Sequence, residues 1–153
     1  MFISSNLSLY EKQILDLYSI NNIYIDSFKK IMLAKNVKGI IYYQNNILIS
    51  QVFARISYDQ GDIIELSTNP NYLKMGFASK LLKELEKNFF LDNINEIYLE
   101  VDVKNNSAIS CYKKANFIEV GTRRKYYRRS QKRSDALIMK KVITLNYNEY
   151  NLK

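Results

Sequence analysis

The chain has 153 residues, 47% hydrophobic and 25% charged, with a formal net charge of +8 and no histidine. This length and composition predict one domain with a buried core. The absence of histidine excludes Ser-His and Cys-His nucleophile pairs and histidine-ligated zinc sites. A general base must therefore be a carboxylate, a lysine, a tyrosine or the substrate. We expect no metal site. The charge predicts an anionic partner, either nucleic acid or a polyphosphate.

The cellular location is predicted from what the sequence contains. A single cysteine excludes an internal disulfide and fits a reducing compartment. Apolar runs are too short for a membrane span, and the N-terminal residues lack the pattern of a signal peptide. We therefore expect a cytoplasmic protein with no membrane contact, in which residues 1–145 form the domain and residues 146–153 form a polar tail.

The first half of the chain predicts short helices followed by an antiparallel meander. Ser8 is expected to cap a helix that ends near Ile20, and Asp26 or Ser27 a second short helix. The β-rich runs are separated by turn signals, Asn45-Asn46 among them. The predicted strands lie at 1–5, 38–44, 47–57 and 63–68, with a turn at 58–62 that contains Gly61.

The second half predicts a parallel crossover. One helical face carries an apolar stripe made of Phe77, Ala78, Leu81, Leu82, Leu85 and Phe89. A strand at 96–101 follows, so strand, helix and strand form a parallel unit. A short helix at 107–115 and a hairpin of 117–129 with 134–142 complete the chain. The predicted fold class is α/β, with a mixed, mostly antiparallel sheet of about six or seven strands and helices on both faces.

The start of the apolar helix has the features of a phosphate site. A helix N-terminus exposes unpaired N–H groups and the positive end of the macrodipole. Gly76 lets the backbone come close to a ligand, Ala78 keeps the next turn open, and Lys74 and Ser79 add a charge and a hydroxyl. The glycine patterns of Rossmann folds and P-loops are absent. The alternative is that Gly76 only begins a helix.

This segment resembles the GNAT superfamily of acetyl-CoA-dependent N-acetyltransferases. Their signature, Q/R-x-x-G-x-G/A, stands here as Leu73, Gly76 and Ala78, with leucine in place of glutamine or arginine. The resemblance implies a GNAT-like fold with acetyl-CoA as the acetyl donor. It also implies that a run of residues holds the coenzyme A pyrophosphate, namely Lys74, Met75, Gly76, Phe77, Ala78 and Ser79.

Downstream motifs resemble the RimI-type branch of this superfamily, whose members acetylate protein N-termini, including that of a ribosomal protein. The matching residues are Tyr98, Leu99, Glu100, Val101, Asn105, Asn106, Ala108, Ile109, Tyr112, Phe117, 122–127 and 135–139. The resemblance implies that Glu100 is the general base, acting directly or through water, and that Tyr112 is the acid that protonates the thiolate. The alternatives are a strand-end carboxylate at Glu100 that pairs with a lysine, and a core residue at Tyr112.

The resemblance assigns further residues to the cofactor and the acceptor. Backbone N–H groups of Leu66, Ser67 and Thr68 would bind the thioester carbonyl and the pantetheine arm. Asn105 would hydrogen-bond the cofactor, and Tyr127 would line the acceptor groove.

The chain departs from the branch in two places, and one hairpin is strongly basic. A Pro-Trp pair typical of the branch is missing from residues 22–26, and Asn116 replaces a glycine, which is tolerable because asparagine accepts the left-handed conformation. The hairpin at 123–133 interleaves basic residues with Tyr126 and Tyr127, which predicts either RNA contact or a solvated loop.

The sequence therefore predicts an N-acetyltransferase acting on the N-terminal α-amine of a protein, with a ribosomal protein as the first candidate. A small-molecule amine, a lysine or an aminoacyl-tRNA is the alternative acceptor. A non-catalytic RNA-binding or ribosome-binding module is the non-enzymatic alternative. We expect a monomer or a weak dimer.

Overall fold

The computed structural model describes residues 1–20, 25–129 and 132–144. Within these ranges the sheet has seven strands in the order β1-β2-β3-β4-β5-β7-β6. The strands are β1 (Phe2–Ile3), β2 (Val37–Gln44), β3 (Ile47–Ser57), β4 (Gln60–Thr68), β5 (Glu96–Asp102), β6 (Ile118–Arg129) and β7 (Lys132–Val142). The helices are α1 (Glu11–Ser19), α2 (Ile25–Met32), α3 (Phe77–Leu91) and α4 (Asn106–Lys114), with 3₁₀ turns at Leu7–Tyr10 and Pro70–Tyr72.

The strand pairing confirms the predicted fold class. Among the described strands, β4 and β5 pair in parallel and the other neighbouring pairs are antiparallel. Helix α3 connects the two parallel strands, as the crossover prediction requires. The β2–β3 turn is also confirmed, because Asn45 and Asn46 both have positive φ, at 50° and 61°, which a type I′ hairpin turn requires.

Two hydrophobic clusters lie on opposite faces of the sheet. The cluster under α3 and α4 contains Leu81, Leu85, Phe89 and Tyr112 from the helices and Val52, Leu99 and Val101 from the strands. The cluster under α1 and α2 contains Ile14, Leu17, Phe28 and Met32 from the helices and Ile41 and Phe53 from the strands. The predicted apolar stripe of α3 is therefore confirmed at its buried positions.

Both predicted N-caps are wrong. Ser8 lies inside the 3₁₀ turn that precedes α1, and Tyr10 occupies the cap position without a side-chain hydrogen bond. Helix α2 begins at Ile25, so Asp26 and Ser27 lie in its first turn. Residues 22–24 of the segment that lacks the Pro-Trp pair lie outside the described residues, and so does the predicted tail at 146–153.

Gly61 is a strand residue, which corrects the prediction of a turn through residue 62. Strand β4 begins at Gln60, and the reversal is made by Tyr58, whose φ is 53°, with Asp59. A Cβ at Gly61 would collide with the ring of Phe89, which is fully buried. The glycine is therefore needed because α3 packs closely on the strand, and not because the chain turns there.

Candidate active site

The sheet opens between β4 and β5. Their parallel pairing runs from Gln60 with Glu96 to Ile63 with Leu99, and both strands continue beyond it. On its other side β4 has a bulge, because Ile63 pairs with Ala54 while Glu65 pairs with Phe53. A bulge bends a strand and increases its twist. The strand ends therefore diverge, and the backbone of β4 after Ile63 faces a gap.

Helix α3 begins at this gap with a set of unpaired N–H groups. The first hydrogen bond into the helix is donated by Lys80 to the Gly76 carbonyl at 3.0 Å, so the amides of the preceding residues lie outside the helical pattern. Gly76 has a φ of 82°, and a Cβ built on it meets nothing within 4 Å. The first turn contains no acidic residue. This terminus has the features of an anion site. Binding of the coenzyme A pyrophosphate by Lys74 to Ser79 stays a prediction.

A basic groove adjoins the same helix. It has a volume of about 860 Å³ and runs along α3 to the end of α4 and the ends of β5 and β7. Its charged lining consists of Lys80, Lys83, Lys87, Lys114 and Lys141 with Glu84 and Glu86. Lys141 donates to Glu86 at 2.7 Å, so part of this charge is neutralised. The groove reaches the first turn of α3 at Ser79 and Lys80 and runs along the flank of the helix, whereas its lining residues Ile97 and Val142 lie at or beside the start of β5, away from the gap.

Tyr112 is a buried residue of α4, with 7% of its surface exposed. Its ring packs edge-on against Phe117 at a centroid distance of 5.7 Å. Burial, followed by the neighbouring Cys111, Glu65 and Tyr127, raises the pKa of its phenol well above the ordinary value. The phenol therefore stays protonated at neutral pH and can donate a hydrogen bond or a proton. Tyr112 belongs both to the core and to the group around the gap.

Glu100 lies across the gap on the face of α1 and α2, because its neighbours Leu99 and Val101 point into the other core. Its carboxylate accepts a hydrogen bond from Arg123 Nη1 at 3.1 Å, and its side chain is 30% exposed. Arg123 also stacks on the ring of Tyr126, 4.4 Å from the ring centroid. A hydrogen bond to Glu100, followed by partial burial, raises the pKa of Tyr126. Glu100 is therefore part of an Arg-Tyr-Glu group, in which its ion-pair partner is an arginine and not the lysine that the alternative interpretation expected.

Tyr127 and Asn105 lie near the same strand end. The Tyr127 hydroxyl donates to the backbone carbonyl of Glu100 at 3.0 Å, which ties β6 to β5 across β7. The Asn105 carboxamide oxygen caps α4, because it accepts from the Ala108 amide at 3.2 Å and from the Ser107 hydroxyl at 3.0 Å. Because this oxygen is engaged within α4, the predicted hydrogen bond of Asn105 to the cofactor would use its amide nitrogen. Both assignments stay predictions.

The predicted carbonyl-binding segment lies on β4 beyond the last parallel pair. Leu66 packs against the α3–α4 core. The Ser67 carbonyl accepts from the Ser50 hydroxyl at 2.7 Å, and that hydroxyl lies 2.8 Å from Thr68 Oγ1. These contacts fix the strand on the β3 side and leave its other edge to the gap. Binding of a thioester there remains a prediction.

The sequence analysis missed Glu65 and Gln51. Glu65 lies at the bulge on the face of α1 and α2, because its cross-strand partner Phe53 belongs to that core. Gln51 pairs with Ser67 and is fully buried. One signal was available, since Glu65 is the single acid between Asp62 and Glu84 and precedes the predicted carbonyl-binding segment.

The basic hairpin is described only in part. Arg123 and Tyr126 belong to the group around Glu100. The Lys125 amide donates to Asp135 Oδ1 at 2.8 Å, which holds a bulge in β6 where Lys125 has a φ of 53°. Ser130, Gln131 and the side chains at 128, 129 and 132 lie outside the described residues. RNA contact by this hairpin stays a prediction.

Comparison with known proteins gives three findings about this arrangement. The chain is 31% identical over 126 residues to N-alpha-acetyltransferase 50 of Danio rerio, covering 77% of this chain and 73% of the relative. It is 28% identical over 96 residues to the ribosomal protein bS18-alanine N-acetyltransferase of Escherichia coli (strain K12), covering 63% of this chain and 65% of the relative. The crystal structure of the ribosomal-protein-S18-alanine N-acetyltransferase from Escherichia coli matches with a TM-score of 0.86 at 20% identity, covering 100% of this chain and 98% of that one.

The first of these relatives is similar over most of both chains, and the structural match confirms the fold. Helices long and apolar enough to cross a membrane are absent from the described ranges. Residues 8–117 match the acetyltransferase (GNAT) family. The chain therefore belongs to the GNAT family of N-acetyltransferases, whose acetyl donor is acetyl-CoA.

Proposed function

We propose that the protein transfers an acetyl group from acetyl-CoA to the N-terminal α-amine of a protein, with a ribosomal protein as the first candidate. The observation that carries the proposal is the convergence of Tyr112, Glu100 and Tyr127 at the gap between β4 and β5, beside the N-terminus of α3. One curated relative is named an N-alpha-acetyltransferase, and the other is named a ribosomal protein bS18-alanine N-acetyltransferase. A cytoplasmic location is part of this proposal.

The α3 terminus fits the diphosphate of coenzyme A. Diphosphate oxygens need several N–H donors and a close approach of the backbone, which the open position at Gly76 allows. The lysines of the adjoining groove supply positive charge for the remaining phosphate. With the diphosphate at α3, the acyl end of the donor would extend into the gap along Leu66, Ser67 and Thr68.

The gap supplies the proton donor that the reaction needs. Expulsion of a thiolate is assisted by a group that can protonate the sulfur. Tyr112 suits this step because burial keeps its phenol protonated. The incoming ammonium must also lose a proton, and Glu100 is the residue to which the family resemblance assigns the role of base.

The acceptor would approach from the face of α1 and α2, where Glu100, Tyr126 and Tyr127 meet. Two aromatic rings in edge contact, 5.2 Å apart, offer an apolar wall with polar tips. This arrangement suits the first residues of a peptide, because the terminal amine is cationic and the peptide backbone is uncharged. RNA contact by the hairpin at 123–133 would add affinity for a ribosomal particle.

Three substrates test the acceptor class. The first is a lysine-free peptide with a free N-terminus, the second a lysine-containing peptide with a blocked N-terminus, and the third is spermidine. We expect kcat/KM to be highest for the free N-terminus. Equal or faster acetylation of the blocked peptide or of spermidine would overturn the α-amine assignment while leaving the acetyltransferase intact.

Tyr112→Phe tests the proton donor. The variant should lose about a hundredfold in kcat, within the usual range for removal of a general acid, while its Kd for acetyl-CoA changes by less than about twofold. Tyr98→Phe is the matched control, because its hydroxyl donates to Glu96 at 3.0 Å at the far end of β5. If both variants keep wild-type turnover, Tyr112 is not the donor.

A further inference from the structure

A line of lysines runs along the outer face of α3. Lys80, Lys83 and Lys87 occupy positions i, i+3 and i+7, which lie on one side of a helix. That side is opposite to the buried stripe of α3, so Lys80 and Lys83 are exposed and Lys87 is partly exposed. From the first lysine to the last, the helix rises by about 10 Å. These three residues form the lysine row.

The acids of α3 do not balance the charge of the lysine row. The Glu86 carboxylate is paired with Lys141 of β7 at 2.7 Å. The Glu84 carboxylate accepts a hydrogen bond from the Asn88 amide at 3.2 Å, on the flank of the helix. Within the described part of the chain, no ion pair includes a member of the row. The outer face of α3 therefore has a net positive charge that an external anion can meet.

Aromatic rings lie beside the lysine row. Lys80 Nζ lies over the Phe77 ring, 5.1 Å from its centroid. The Phe77 ring contacts Tyr42 of β2 at a centroid distance of 5.0 Å, and Tyr42 contacts Phe2 of β1 at 5.0 Å. Phe2 is 38% exposed, and the other two rings are partly exposed. Because β1 is an edge strand, these aromatic rings extend from the first turn of α3 to the edge of the sheet.

The lysine row extends beyond the expected coenzyme site. Lys80 lies near the N-terminus of α3, where it can serve a coenzyme phosphate. Lys87 follows Gly76 by about three helical turns, or about 16 Å along the axis. The basic groove of about 860 Å³ is lined by all three lysines and by two of the aromatic rings. A diphosphate at Gly76 therefore accounts for Lys80, and not for Lys83, Lys87 and the rings.

We propose that the lysine row and the aromatic rings beside it bind single-stranded nucleic acid. The lysines would contact phosphates, while bases would stack on the rings of Phe2 and Tyr42. A stacked strand has a phosphate about every 3.4 Å, so the row faces about three phosphates. This surface lies on different elements from the basic hairpin at 123–133, and the inference does not depend on the proposed function.

Other anionic partners would use only part of this surface. An acidic peptide would meet the lysines but would gain little from the rings. A helix that binds a membrane surface needs an exposed apolar face, whereas the apolar face of α3 is buried in the core. A duplex keeps its bases stacked on each other and away from the rings. A single strand presents both phosphates and base faces, and so matches the whole surface.

Fluorescence anisotropy with labelled single strands of about 12 nucleotides, a common size for single-strand sites, tests the proposal. RNA and DNA of one mixed sequence should both bind, because neither contact needs the 2′-hydroxyl. The double variant Lys83→Gln with Lys87→Gln should raise Kd about tenfold or more at about 0.1 M salt. It should also flatten the slope of log Kd against log salt by about 1.4, as expected for two lost phosphate contacts. Phe2→Leu, which keeps an apolar side chain, should raise Kd about threefold or more.

Two controls separate this surface from net charge and from the hairpin. Lys12→Gln with Lys30→Gln removes the same charge from exposed positions of α1 and α2, on the opposite face of the sheet. Arg124→Gln removes an exposed charge from β6. Both controls should keep Kd within about twofold of the wild type. Thermal unfolding checks that every variant is folded.

Four results would overturn the proposal. The first is that neither strand binds the folded wild-type protein. The second is that a control variant weakens binding as much as the α3 pair does. The third is that a polyglutamate peptide binds as tightly as the nucleic acid, which would make the surface a general site for anionic chains. The fourth is that saturating acetyl-CoA displaces the strand, which would assign the whole groove to the coenzyme.

Discussion

The N-terminus of α3 offers a test in which charge can be separated from backbone strain. Gly76→Glu and Gly76→Gln place side chains of nearly equal size at the same position, where an added Cβ has open space around it. Both variants must adopt a φ near 82°, the left-handed region that disfavours residues with a Cβ. Only the glutamate adds a negative charge where the coenzyme diphosphate is expected.

The expected magnitudes follow from this geometry. The left-handed backbone should cost each variant about 1–2 kcal/mol of stability, which lowers Tm by about 2–4 °C per kcal/mol in a chain of this size. A carboxylate about 4 Å from a phosphate adds repulsion of about 1 kcal/mol in water and about 4 kcal/mol at a partly shielded protein surface. Gly76→Glu should therefore bind acetyl-CoA at least about fivefold more weakly than Gly76→Gln.

Calorimetric titration with acetyl-CoA measures this ratio, and thermal unfolding checks that the two variants are equally stable. The ratio should decrease as salt rises from about 0.05 to 0.5 M, because salt screens exposed charges. If the glutamate and glutamine variants bind with the same Kd at low salt, the diphosphate does not lie at this helix end. The coenzyme would then bind at a different part of the protein.

The other predictions concern stability. Gly61→Ala should lower the free energy of unfolding by about 1–3 kcal/mol, because its methyl group would collide with the buried Phe89 ring; an unchanged denaturation midpoint would contradict that packing. Asn116→Gly should raise the free energy of unfolding by up to about 1 kcal/mol, because Asn116 has a φ of 66° after α4, a conformation that glycine adopts more easily. Chemical denaturation measures the gain. A loss of stability would mean that the Asn116 side chain makes a stabilising contact. Glu65→Gln should be more stable than the wild type at neutral pH but not below about pH 4. Burial raises the pKa of Glu65, so wild-type stability falls as the pH rises from the ordinary glutamate range through the raised value. Equal stability of the variant and the wild type at both pH values would refute this.

Much of the architecture was predictable because it depends on local chemistry. Asn45 and Asn46 adopt the positive φ values that a two-residue hairpin needs, and Asn116 adopts the left-handed conformation expected of a glycine substitute. The buried face of α3 follows from the spacing of Leu81, Leu85 and Phe89. These features are set by single residues or by helical periodicity, so a sequence reveals them without knowledge of distant contacts.

The errors and omissions have nonlocal causes. Gly61 resembles a turn glycine until the Phe89 ring from α3 is known to pack on it. The burial of Gln51 depends on strands and helices distant in sequence, and alternation along β3 could not predict it because nearly the whole strand is buried. Glu65 resembles an ordinary strand carboxylate, and its significance arises from the β4 bulge and from tyrosines on two separate helices.

The gap between β4 and β5 also has a consequence for solubility. Two strand edges with unpaired polar backbone groups lie within the sheet, where most proteins have continuous pairing. Such edges can template the addition of foreign extended chains. An acyl-pantetheine arm lying between them would occupy the position of a strand. The bound donor would therefore cover these edges and hinder the addition of another chain, besides being a reactant. A shortage of acetyl-CoA would then both stop catalysis and favour aggregation.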